Sequence, residues 1–139
     1  MIFPRHRAFC DTSFFFASLC PDDINYERAG EVLNNCVTEK ITLCTTWDII
    51  SETVTLLRYR AEYRLSMEFL DNIVPSLSVV TYDRSVRDAA IEVFRKLSRD
   101  KRLSFCDVLS YVVITQLLED MPSLSFDRDF RSLGLTVYP

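Results

Sequence analysis

The sequence predicts an α/β fold, a parallel sheet with helices on both faces. Two observations carry it. Short apolar runs of three to six residues alternate with longer segments whose apolar residues recur at helical spacing. Up to the strand at Leu124, each candidate strand is also separated from the next by helices, so the connections are crossovers, and crossovers give parallel pairing with both faces of the sheet covered. At 139 residues, 48% hydrophobic and 12% aromatic, the chain has the material for one core, and a single domain over residues 1–139 is expected.

The elements follow in order. Ala8 to Cys10 is a short strand ending at Asp11, and residues 13–19 (SFFFASL) open a helix closed by the Pro21-Asp22-Asp23 turn. Ala29, Val32, Leu33, Cys36 and Val37 mark one face of a helix over 25–38. Ile41 to Thr45 reads as a strand. Thr46 caps a helix over 47–60, with Ile49, Ile50, Thr53, Leu56 and Leu57 inward and Glu52 beside that stripe. A helix over 62–74 stops before Pro75. Leu77 to Tyr82 is a β-branched strand, and Val86, Ala89, Ala90, Val93, Phe94 and Leu97 mark the next helix. Ser104 and Asp107 then stand three apart before an apolar run, the pattern of a capping box with Asp in place of Glu. Leu124 to Phe126 is a strand ending at Asp127, and Leu135 to Tyr138 is a final edge strand.

Composition excludes several kinds of chemistry. With Gly30 and Gly134 the only glycines, neither a P-loop nor a dinucleotide cradle can be built. The lone His6 is a poor basis for a histidine-driven nucleophile. Five cysteines, Cys10, Cys20, Cys36, Cys44 and Cys106, form an odd set without CxxC spacing in apolar contexts, which suits free thiols in a reducing cytoplasm. Asp11 interrupts the apolar stretch near the N-terminus, so no targeting or membrane-spanning segment is expected. The net charge of −4 argues against binding nucleic acid through bulk positive charge. Setting four acids aside, however, leaves sixteen against sixteen bases, thirteen of them arginine, the planar partner of phosphate.

The remaining chemistry runs on carboxylates. Asp11 and Asp127 each follow a strand, and in open parallel sheets the ligand crevice lies at the carboxyl ends of strands. Asp107 joins them if its helix starts at the same sheet edge, and Glu52 if its helix turns inward. Taken singly, each has an ordinary explanation: a cap for Asp11, a helix N-terminal charge for Asp107, a solvated position for Glu52, turn acids for Asp127 and Asp129. Converging without a nearby cation, they would repel one another strongly and call for a divalent ion. Oxygen donors favour Mg²⁺ or Mn²⁺ over zinc.

The order FCDTS, TTWDIISETVTLLRYR, LSFCDVLSYVV and SFDRDF resembles the PIN-domain ribonucleases over nearly the whole chain. The resemblance implies a three-layer α/β/α fold with a central parallel sheet of four to five strands, and Mg²⁺- or Mn²⁺-dependent cleavage of RNA. It matches Asp11, Glu52, Asp107 and Asp127 to the metal-binding, catalytic acids, with Thr12 and Ser13 at the hydroxyl positions after the first acid and Asp129 an alternative fourth acid. Cys106 stands where many members carry a hydroxyl residue. Many short members are toxins paired with a small antitoxin protein, and the family commonly forms homodimers. Arg58, Arg60 and Arg64, six to twelve residues beyond Glu52, are candidates for the path of an RNA backbone, and 95–102 is a second basic stretch. An inactive PIN-like scaffold is the competing expectation. A dehalogenase-like phosphatase is the third, disfavoured because Thr12 and Ser13 follow Asp11 where a DxD pair belongs.

Overall fold

In the computed structural model, which describes residues 3–139, the sheet holds five strands: β1 (Arg7–Cys10), β2 (Thr42–Thr45), β3 (Ser78–Val79), β4 (Ser123–Leu124) and β5 (Val137–Tyr138). Their order is β3-β2-β1-β4-β5 and every pairing is parallel. Seven helices flank them: α1 (Thr12–Leu19), α2 (Tyr26–Thr38), α3 (Trp47–Arg60), α4 (Tyr63–Glu68), α5 (Arg84–Leu97), α6 (Phe105–Leu117) and α7 (Arg128–Arg131). This is the α/β/α architecture the sequence predicts. The central strand β1 is covered on both faces, and Ala8, Phe9 and Cys10 are fully buried.

The chain winds outward from β1 to β2 and β3, then returns to place β4 on the other side of β1. That reversal is the topological switch point, and it opens a crevice where β1 and β4 end. Around it the core is aromatic: Phe9, Phe14, Phe15, Phe69 and Phe130 are fully buried, with Phe15 and Phe69 rings 5.1 Å apart. Each such side chain contributes about 1.5–3 kcal/mol through its burial. Cys10, Cys20, Cys36 and Cys44 are buried free thiols.

Several boundaries differ from expectation, each for a local reason. The run Leu77 to Tyr82 pairs only through Ser78 and Val79, because β2 ends at Thr45 where Thr46 turns to cap α3. The strand expected over 124–126 is Ser123–Leu124, because β1 likewise ends at Cys10 when Asp11 starts α1. The segment 62–74 is not one α-helix: α4 widens into a π turn over Phe69–Ile73 and tightens into a 3₁₀ turn over Val74–Ser76. Pro75 sits at the head of that last turn, where its missing N–H needs no partner. Val37 is 78% exposed, being turned about 100° from the buried Ala29, Val32 and Cys36 stripe of α2. The α7 turn was not predicted.

Candidate active site

The acids come together at the switch point. A cleft of about 420 Å³ at the carboxyl ends of the strands is lined by Asp11, Glu52, Asp107 and Asp127, with Thr12, Ser13, Ser104, Phe16, Leu56 and Phe126 between them and Arg60 and Arg102 also on its wall. Each acid reaches it from a different element: Asp11 from the β1–α1 junction, Glu52 from the second turn of α3, Asp107 from the first turn of α6, Asp127 from the residues after β4.

Asp11 occupies the N-cap position of α1 yet makes no side-chain capping bond. Its Oδ2 instead accepts from the Ser13 hydroxyl at 2.9 Å and the Ser125 hydroxyl at 2.7 Å. Asp107 does cap: Ser104 N–H donates to its Oδ2 at 3.1 Å while Asp107 N–H donates to Ser104 Oγ at 3.0 Å, a complete capping box. Asp127 also caps, accepting from Asp129 N–H through Oδ1 at 2.8 Å. Glu52 is half-buried, and its Oε2 accepts from the Thr12 hydroxyl at 2.8 Å.

Ser13 and Ser125 tie the two sides of the crevice together. Their hydroxyls lie 3.1 Å apart, Phe126 N–H donates to Ser13 Oγ at 3.0 Å and Asp127 N–H donates to Ser125 Oγ at 3.1 Å. One small network therefore orients Asp11 and the backbone of Asp127 at once. Ser125, fully buried, is absent from the sequence reading. Its signal is a hydroxyl in an apolar run directly before the acid-bearing loop.

Burial makes Asp11 and Asp107 costly to ionise. Asp11, 2% exposed, has its pKa raised by desolvation, opposed by the Ser125 and Ser13 hydroxyls and reinforced by the charge of Asp127. Asp107 is pushed up to about 7, first by burial and then by Asp11 and Asp127, against the stabilising Ser104 bond. Burial, with Glu52 next, also holds the Cys106 thiol far above its ordinary value, so it stays protonated. None of the four acids has an ion-pair partner among the described residues. Asp11 and Asp107, buried, repelled by Asp127 and paired with no cationic side chain, are oxygen donors that fit Mg²⁺ or Mn²⁺. Among the described residues, however, no three of these side chains are gathered tightly enough to enclose an ion by themselves.

The remaining candidates are placed differently. Asp129 is exposed and does not line the cleft; its N–H serves Asp127 instead. Of the three arginines on or after α3, only Arg60 lines the cleft. The Arg58 guanidinium lies over the rings of Tyr59 and Tyr63, and Arg64 is paired with Glu62 and Glu68 at 3.6 and 3.8 Å. From the basic stretch 95–102, Arg102 reaches the cleft, since it directly precedes the buried Leu103 that anchors the approach to α6.

The sequence profile of the PIN domain matches residues 8–135, a span containing all four acids. The chain belongs to the PIN-domain family. A curated relative of this PIN domain, the VapC ribonuclease of Archaeoglobus fulgidus, is 31% identical over 127 residues, covering 88% of this chain and 78% of the relative. Among solved structures, VapC20 of Mycobacterium tuberculosis, a sarcin-ricin-loop-cleaving toxin, superposes with a TM-score of 0.79 at 22% identity, over 92% of this chain and 95% of that one. VapBC2 of Rickettsia felis, solved bound to a DNA fragment from its promoter, gives 0.67 at 12% identity, over 95% and 97%. FitAcB of Neisseria gonorrhoeae gives 0.66 at 15%, over 95% and 96%. At these identities the structures establish the shared PIN fold. No helix among the described residues is long and apolar enough to cross a membrane.

Proposed function

We propose that this PIN domain is a Mg²⁺- or Mn²⁺-dependent endoribonuclease, the toxin of a toxin–antitoxin pair, acting in the cytoplasm with a small antitoxin protein and a second copy of itself as partners. The observation that carries the reading is the pair of buried, unpaired carboxylates, Asp11 and Asp107, on one cleft at the switch point. Asp11 and Asp107 would be the main ligands, with Glu52 and Asp127 binding directly or through water. A divalent ion held there supplies Lewis acidity for the scissile phosphate, a lowered pKa for a water and neutralisation of the leaving 3′ oxygen.

The chain's own residues do the rest. Ser13 and Ser125 fix one Asp11 oxygen, and the Ser104 capping box fixes one Asp107 oxygen. Thr12 does the same for Glu52. Asp127, held by its own cap, stands where it can orient a water. Arg60 and Arg102 bind the flanking phosphates, and neither has an ion-pair partner among the described residues. Because water is the nucleophile, the 2′-hydroxyl is not required.

The name of the 31%-identical relative, a VapC ribonuclease, supports the activity. The toxin role is tested by co-expression: a neighbouring small reading frame should relieve growth arrest caused by this chain and its product should co-purify with it. That no three of the acids form a metal-holding group among the described residues favours one other reading, a PIN-like scaffold that binds RNA or protein without cutting it. Metal titration against RNA cleavage separates the two: activity that rises with Mg²⁺ or Mn²⁺ and is lost in Asp107→Asn supports the nuclease, and none with either ion supports the scaffold.

A further inference from the structure

The corner between α3 and α4 carries three side chains that the cleft does not use. Tyr59, the penultimate residue of α3, is 82% exposed and Tyr63, the first of α4, is 60% exposed. The Arg58 guanidinium lies 5.9 Å from the Tyr59 ring centroid and 5.5 Å from that of Tyr63. Large aromatic rings in water are costly, and a guanidinium shared between two of them fixes their positions without covering them. Arg64, one residue further, is already neutralised by Glu62 and Glu68, so the charge left at this corner belongs to Arg58 and Arg60.

Position gives the corner its meaning. Glu52, Leu56 and Arg60 recur every four residues and form the stripe of α3 that lines the cleft. Arg60 ends that stripe about 12 Å from Glu52 at 1.5 Å per residue, the reach of three or four stacked nucleotides at roughly 3.4 Å each. Tyr59 is its immediate neighbour. Aromatic rings interleaved with arginine beside a phosphate-binding groove are the elements by which proteins hold single-stranded nucleic acid: the cations follow the backbone and the rings stack with any base.

We propose that Tyr59 and Tyr63, braced by Arg58, form a stacking subsite for unpaired bases of the RNA strand that enters the cleft past Arg60. The inference rests on the nuclease reading and names its substrate class: single-stranded or looped RNA, whose bases are free to stack, rather than a continuous duplex.

The test uses the full chain in an Asp107→Asn background, binding a short labelled single-stranded RNA and its fully paired duplex across a salt series. Tyr59→Ala and Tyr63→Ala should each weaken single-strand binding roughly five- to 150-fold while leaving its salt slope unchanged. Tyr59→Phe and Tyr63→Phe, which keep the ring, should restore it, and duplex binding should not respond. Arg60→Gln should instead reduce the slope by about one. Single-strand affinities equal to the parent in both alanine variants overturn the subsite, as does a change of oligomeric state at unaltered RNA affinity, which assigns the rings to a protein interface. The two readings fail separately. If the wild-type chain cuts RNA and the alanine variants keep its KM, only the subsite falls; if the wild-type chain neither binds nor cuts RNA, the nuclease reading falls with it.

Discussion

Two clefts of similar size lie at opposite ends of the sheet, about 420 Å³ where the strands end and about 480 Å³ where they begin, and they handle charge in opposite ways. At the second, Arg5 and Glu119 meet at 2.6 Å in full solvent; each holds the other charged, raising the arginine pKa and lowering that of the glutamate. At the first, Asp11 and Asp107 are buried, unpaired and harder to ionise. A screened surface ion pair adds little and demands nothing from a ligand. Buried acids without a counter-charge are a standing cost to the fold, and such a cost is what a bound cation would relieve. Volume does not distinguish the two clefts; unbalanced charge does.

The largest effect that should break the contrast is the loss of a carboxylate. Asp107→Asn and Asp11→Asn should each reduce RNA cleavage by more than the roughly 10–100-fold that removing an outer-shell partner costs. In the metal-free protein Asp107→Asn should at the same time raise the melting temperature near neutral pH, because it removes a charge the fold resists. Activity and stability should therefore move in opposite directions. Next in size, Ser125→Ala should fall within that 10–100-fold range, since Ser125 fixes Asp11 and the Asp127 backbone without touching substrate. Single-turnover cleavage assays with folding checked by circular dichroism measure both.

Stability against pH sharpens the comparison further. The Asp107 carboxyl keeps its proton to about 7 in the fold, whereas its ordinary value is 3.8, so between these limits the folded state binds more protons than the unfolded chain. Stability of the metal-free protein should then fall as pH rises through that window, by up to about 4 kcal/mol, and level off above it. Asp11 acts in the same direction. Denaturant midpoints from pH 4 to 8 should show the decline in the parent and a shallower one in Asp107→Asn. At the other end of the sheet, Glu119→Gln should leave cleavage and melting temperature essentially unchanged, the smallest effect expected.

The legible parts of the sequence were those with a local cause. The capping box at Ser104 and Asp107, the Thr46 cap and the acids following β1 and β4 all depend on residues close in the chain, and the structure contains them. Strand lengths were less legible because β3 and β4 stop where their partner strands turn away, a fact held by the partner. Ser125 was missed for a related reason: a serine in an apolar run acquires its role only when the fold brings it beside Asp11. Which cation of the 95–102 stretch lines the cleft is likewise set by the fold, which places Arg102 there. Arg58 and Arg64 shared the right helix spacing with Arg60 but found neighbours of their own.

Calorimetric titration of Mn²⁺ into the metal-free chain near pH 6, repeated in buffers of different ionisation enthalpy, tests the central claim most directly. Binding should be saturable, raise the melting temperature and expel protons from Asp107, so that the observed heat varies with the buffer, and all three signals should be lost in Asp11→Asn. A titration showing no binding, or binding that survives unchanged in Asp11→Asn, would contradict it.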